Sequence, residues 1–272
     1  MAKLIGILRL LSIDIVLGAI GGLYFASRIF YHEPSVYFYI TLASAVWVVY
    51  IFDHILDGIR TKTDSDEYQF HYKYRKILAV VCILLILVSA CFTLFYLERE
   101  LIFFGISTFI LVIIYLILNY FYRDKNKFFP KELLISVIYT WGIFGGVILI
   151  NGAINITQLV LVLAYFLVVM ANVMFFSYAD LDENKNENYT IISAGLGKAK
   201  SRNVILVVII ASVIISHFAS FLFSAWKESL ILILMNLTLL ILILFPSLSR
   251  SKFSGFIADA VFIYPLFLYW LW

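Results

Sequence analysis

Residues 46–76 read VWVVYIFDHILDGIRTKTDSDEYQFHYKYRK, and residues 172–202 read NVMFFSYADLDENKNENYTIISAGLGKAKSR. Each begins in the last turns of a long apolar run and passes into a polar stretch, acidic first and basic after. In the first, Asp53 and Asp57 are four apart, so a helix continuing the apolar run puts them on one face, one turn apart, with Tyr50 a turn deeper on about the same side. In the second, Asp180 and Asn184 repeat the spacing, Glu183 stands beside them, and Asn172 and Phe176 run down the same face. Asp180 follows Asp53 by 127 residues, about the length of a four-helix unit.

The rest of the chain explains why these two stretches stand out. Of 272 residues, 64% are hydrophobic and only 14% charged, against about 45–50% and about 25% in a soluble domain. That leaves too little polar surface for a soluble enzyme, a nucleic-acid binder or a disordered chain. The apolar runs are about 20 residues long, the length of a membrane-crossing helix, and do not alternate as β-barrel strands do. The pattern predicts an all-α, polytopic membrane protein of nine helices, at about 4–27, 36–52, 77–97, 101–121, 133–150, 156–177, 203–223, 229–245 and 256–272. The whole of 1–272 reads as one membrane domain, two four-helix halves plus a ninth helix around an apolar cavity, with polar connections at 53–76, 122–132 and 178–202. Pro265 lies inside the ninth segment and is expected to kink it.

Orientation follows from the basic residues. With the N-terminus in the cytoplasm, 17 of the 20 Lys and Arg lie inside, and only Arg28, Arg99 and Lys227 outside. Both acidic stretches are then cytoplasmic, the C-terminus lies on the opposite side, and the expected location is a multi-pass protein of the cell's inner membrane. The net charge of +3 is the ordinary bias of a cytoplasmic membrane face. Cys82 and Cys91 share one helix and read as apolar filler. Asp14 is expected deep in the first span and Asp259 at the interface, and His54, which projects about 100° from Asp53 on a helix, is expected on the surface.

Both acidic stretches lie where a helix dipole favours cations and disfavours carboxylates, by roughly 0.3–1 kcal/mol each. Placed there in pairs, they point to a bound cation. Mg²⁺ takes one or two carboxylates and binds substrate phosphates, and the flanking Lys and Arg suit the same phosphates. The residues alone therefore suggest a magnesium–diphosphate site at the cytoplasmic mouth of an apolar cavity.

At these residues the chain resembles the UbiA superfamily of intramembrane prenyltransferases, which have nine helices and aspartate-rich motifs after helices 2 and 6. Asp53, Asp57 and Gly58 match the first motif; Asp180, Asn188, Thr190 and Gly197 fall into the second; and FPKELLISVIYTWGIFGG, residues 129–146, resembles the family's fifth span. The family Asn of the first motif is Val49 here, the second carboxylate of the second motif is Asn184, and NYFYRDK at 119–125 only approximates the family's Tyr-x-x-x-Lys-Arg. Glu183 or Asp182 is then the replacement ligand, or the site binds fewer metals. The resemblance implies Mg²⁺-dependent transfer of a prenyl group from an isoprenyl diphosphate to a lipophilic, often aromatic, acceptor within the bilayer. It implies metal ligands among Asp53, Asp57, Asp180, Glu183 and Asn184, with Asp53, Asp57 and Asp180 catalytic. The phosphate clamp falls among Arg60, Lys62, Arg75 and Lys198, and Tyr50, Asn172 and Tyr178 become wall residues. Aromatic faces would stabilise an allylic cation by about 0.5–2 kcal/mol per contact. Two other readings stay open: a transporter of an anionic lipid or metabolite, disfavoured because Gly21–Gly22 and Gly145–Gly146 do not occupy corresponding positions, and a catalytically drifted lipid-binding protein, which Val49 and Asn184 keep in play.

Overall fold

A computed structural model describes residue 6 and residues 9–60, 66–122, 131–183, 196–249 and 253–267. Within them the chain is helical throughout. The elements are α1 (Ile13–Phe30), α2 (Val36–Arg60), α3 (Asp66–Tyr96), α4 (Arg99–Tyr122), α5 (Lys131–Asn151), α6 (Ile156–Glu183), α7 (Lys198–Phe223), α8 (Trp226–Leu244), the single turn α9 (Pro246–Ser249), α10 (Ser254–Ala260) and a 3₁₀ turn at Val261–Phe267. The first eight are long and apolar enough to cross a bilayer, and short connections make sequence neighbours antiparallel. Two sets of four, α1–α4 and α5–α8, meet where α5 packs against both α4 and α1, and α1 also packs against the terminal α10–3₁₀ segment.

The bundle sorts itself by what each helix buries. In α1, 61% of the membrane-length stretch is buried against 11% in α3, so α1 is central and α3 lies against lipid. The main core gathers Phe25 of α1, Phe144 of α5 and Tyr165 of α6: Phe25 stacks on Tyr165 with centroids 5.6 Å apart, and Phe144 meets Tyr165 edge-on at 5.1 Å. Close packing rather than hydrophobicity must hold such helices together, since lipid is as apolar as the core. Gly21 supplies it: a Cβ there would run into the backbone carbonyl of Phe262, so the missing side chain lets the terminal segment lie directly on α1.

Buried polar side chains tie the second half. Asn236 of α8 donates to Ser212 Oγ of α7 at 2.9 Å, and Ser212 donates to the Ala164 carbonyl of α6 at 2.9 Å. In a medium without water each such group needs a partner inside the protein.

Two segments differ from the sequence expectation. The first span does not run unbroken over 4–27: the chain breaks at Ser12, whose φ is +53°, and α1 begins at Ile13. Trp47 Nε1 donates to the Leu11 carbonyl at 2.7 Å, taking up the backbone acceptor that the break releases. Asp14 is therefore in the first turn of α1 and not deep in a span, and there its buried carboxylate accepts from the Ile15 amide at 3.1 Å, the end of a helix that favours an anion. The ninth helix is α-helical only to Ala260, then 3₁₀ from Val261. Pro265 has no N–H to give to the Val261 carbonyl, and its ring crowds that oxygen, so the winding changes at the residue four before it.

Candidate functional site

At the end of the bundle where α2 and α6 finish, four helices and the terminal segment enclose a hollow lined by Ile15 of α1, Tyr50 of α2, Ile135 and Tyr139 of α5, Val169, Asn172 and Val173 of α6, and Asp259 and Phe262 of the terminal segment. Counted out to its mouth the hollow is about 320 Å³, but only about 20 Å³ of it takes the centre of a water-sized sphere, room for about one water. Its apolar wall is aliphatic and phenyl; its polar wall is two phenols, an amide and a carboxylate.

Each polar group is held by its element. Asn172 is buried, and its amide donates to the Ala258 carbonyl at 2.7 Å, fixing the terminal helix beside the residue that carries Asp259. The carboxylates of Asp259, Asp53 and Asp14 all lie within electrostatic reach of the Tyr50 hydroxyl. Behind Tyr139 stands Tyr165, whose wholly buried hydroxyl has no hydrogen-bond partner among the described residues. The Tyr139 phenol is near enough to interact with it but falls outside hydrogen-bond geometry.

The residues singled out in the sequence divide into groups. Tyr50 and Asn172 share the hollow. Asp53 lies one helical turn from Tyr50 on the unbroken α2 and is partly buried. Tyr178 is buried near the end of α6, with the Lys198 ammonium 5.2 Å from its ring centroid, so the end of α6 and the start of α7 meet there. Arg75 turns away from the hollow: it stacks on Tyr72 at 4.3 Å and donates to the Tyr72 carbonyl at 3.0 Å. It stands near an open groove of about 580 Å³ lined by Leu10, Gln69, Phe70, Tyr72, Lys73 and Tyr74. Of Asp57, Arg60, Asp180 and Glu183 the backbone alone is described, all of it helical, and Lys62 and Asn184 lie outside the described residues. Among the described residues no three His, Cys, Asp or Glu side chains gather closely enough to hold a metal ion.

Three placements were not foreseen. Asp259 lines the hollow, and Tyr139 joins it from within the apolar run of α5. His54 packs against the buried His71 of α3 with ring centroids 4.8 Å apart, and its Nδ1 is 3.4 Å from Ser12 Oγ. The 100° offset from Asp53 points it at a neighbouring helix and not at solvent. The signal for Asp259 was present in the sequence, as a carboxylate six residues before a proline in an apolar segment, but only the return of that segment onto α1 gives it a cavity to face.

No family model and no curated protein matches the chain. Solved structures do. An apo structure of a UbiA homologue from Aeropyrum pernix K1 superposes with a TM-score of 0.68 at 15% identity, over 92% of this chain and 94% of that one. A digeranylgeranylglyceryl phosphate synthase superposes with a TM-score of 0.52 at 18% identity, over 98% of both. At such identities the likeness speaks for architecture, and it spans both halves and the terminal segment. The chain shares the helical fold of these two solved structures.

Proposed function

We propose that this protein transfers a prenyl group from an isoprenyl diphosphate to a lipophilic acceptor inside the bilayer, with Mg²⁺ held at the acidic ends of α2 and α6 on the cytoplasmic side. The observation that carries the reading is that residues just inside those two ends, Tyr50 and Asn172, wall one hollow in a fold shared with UbiA-type proteins.

The donor set suits the ion. α2 is helical through Arg60 and α6 through Glu183, so Asp53 and Asp57 share a face one turn apart. Asp57 and Asp180 each stand three residues from the end of their helix, in the turn where the dipole disfavours an anion. Carboxylate oxygens in that setting match Mg²⁺, which keeps waters and takes phosphate as further ligand. When bound, Mg²⁺ would supply neutralisation of the departing diphosphate's charge. Lys198 at the start of α7, over the Tyr178 ring, would pair with phosphate oxygens. Tyr50, Tyr139 and Phe262 offer aromatic faces to an allylic cation, and the aliphatic wall of Ile15, Ile135, Val169 and Val173 keeps water from quenching it.

The test is transfer of radiolabelled isoprenyl diphosphate by the purified protein, with and without EDTA. Asp57→Ala and Asp180→Ala are each expected to lower the rate on the order of 10²-fold or more, since a metal site supplies several kcal/mol of transition-state stabilisation. Val49 and Asn184 favour a second reading, a lipid-binding protein without catalysis. It predicts uptake of the labelled diphosphate with no product and no response to either substitution.

A further inference from the structure

We propose that the start of α3 binds an anionic phospholipid, with the phosphate held by Lys73 and Lys76 and the acyl chains lying down the outer face of the same helix. The site is separate from the hollow and does not depend on the prenyl-transfer reading.

Length sets its depth. α3 has 31 residues, about 46 Å of helix, against a hydrocarbon core of about 30 Å. The stretch Ile77–Tyr96, about 30 Å long, carries no charged residue and fills that core. Residues 66–76 then reach past it into the headgroup layer.

One face of the helix joins the two zones. Lys73, Lys76, Ile77, Val80, Leu84 and Leu87 follow the three- and four-residue steps of a single row. All four aliphatic members are more than half exposed. On the opposite face Leu78 and Cys82 are buried against Ile51 and Ile55 of α2. The cations therefore run directly into a bare aliphatic strip, as a headgroup runs into its chains.

Charge and shape select the headgroup. From Gln69 to Lys76 the chain carries Lys73, Arg75 and Lys76 and no carboxylate; Asp66 and Glu67 stand about 9 Å or more further out along the axis from Lys73. The open groove between this turn and Leu10, about 580 Å³, is lined by Gln69, Tyr72, Lys73 and Tyr74. Its phenols can bond phosphate and ester oxygens, and tyrosine settles at the bilayer interface. Arg75 uses one N–H on the Tyr72 carbonyl and stacks on the Tyr72 ring, which holds a third positive charge beside the groove. A zwitterionic lipid brings its own cation and gains less from these charges; a free phosphate has no chains for the aliphatic strip.

The probes are phosphatidylglycerol and phosphatidylcholine, each with pyrene on one acyl chain, titrated into the detergent-purified full chain and read by energy transfer from tryptophan. Phosphatidylglycerol is expected to bind at least tenfold tighter. Lys73→Gln and Lys76→Gln are each expected to weaken it about fivefold, the effect of one basic charge near the surface. Their phosphatidylcholine affinity stays within twofold, which also reports that the variants are folded. Lys73→Arg, which keeps the charge, and Lys227→Gln, in the first turn of α8, are expected to bind phosphatidylglycerol as the parent does. Equal affinity for the two lipids, or parent affinity for phosphatidylglycerol in the Lys73→Gln/Lys76→Gln double variant, overturns the proposal. So does displacement of the labelled lipid by inorganic phosphate as readily as by unlabelled phosphatidylglycerol, which would mark a site for a free anion.

Discussion

Gly21 shows how much one absent side chain decides. Its Cα faces the Phe262 backbone, which cannot rotate aside as the end of a long side chain can. Gly21→Val is therefore expected to cost about 1–3 kcal/mol of stability, the range for overpacking, seen as a lowered midpoint of thermal unfolding in detergent. Gly142 on α5 is the internal control: nothing lies within 4 Å of a Cβ built there, and Gly142→Ala is expected to raise stability by about 0.5–1 kcal/mol. A midpoint unmoved by Gly21→Val would mean the terminal segment is not seated as described. The acidic spacing at Asp53 and Asp57 was legible from sequence because a helix makes i and i+4 neighbours whatever surrounds it. Asp259 and Tyr139 were not, because their meeting depends on which helix the terminal segment packs against, and no local pattern encodes that.

At the scale of the element, periodicity and length located the helices well, and the departures have local chemical causes. α2 and α6 run past their predicted ends, to Arg60 and Glu183, because a helix does not stop where hydrophobicity stops: no Pro or Gly breaks the stretch from Val46 to Asp57 or from Asn172 to Glu183. Ser12 ends the first segment early although nothing in its neighbours forbids a helix; the partner that stabilises the break, Trp47, is 35 residues away. The α6–α7–α8 face offers a direct measurement. Asn236→Leu removes the donor to Ser212 and to the Leu232 carbonyl, and interhelical bonds of this kind are worth about 0.6 kcal/mol on average and up to about 1.7. The variant is expected to lose that much by chemical unfolding, and to lose a further increment of similar size when Ser212→Ala is added, since Ser212 keeps its own bond to the Ala164 carbonyl of α6.

For the molecule as a whole, eight of the nine apolar segments read from the sequence are helices long enough to cross a bilayer, whereas the order of burial did not follow from the sequence. That α1 is central and α3 and α4 face lipid comes from packing alone. A pair of cysteines reports it: Cys82 is buried between α2 and α3, and Cys91, about two and a half turns on along α3, is exposed. A membrane-permeant maleimide is expected to label one thiol in the folded protein and two after denaturation, with Cys91→Ser abolishing the first. Labelling of Cys82 in the folded state would place α3 away from α2.

The seating of residues 254–267 on α1 also sets an order in time. The ribosome makes α1 early and its partner more than two hundred residues later, so during translation α1 waits in the bilayer with its notched face and its carboxylate uncovered. Such long-range closure is slow to form, and the insertion machinery must shelter that helix until the last wall of the chamber arrives.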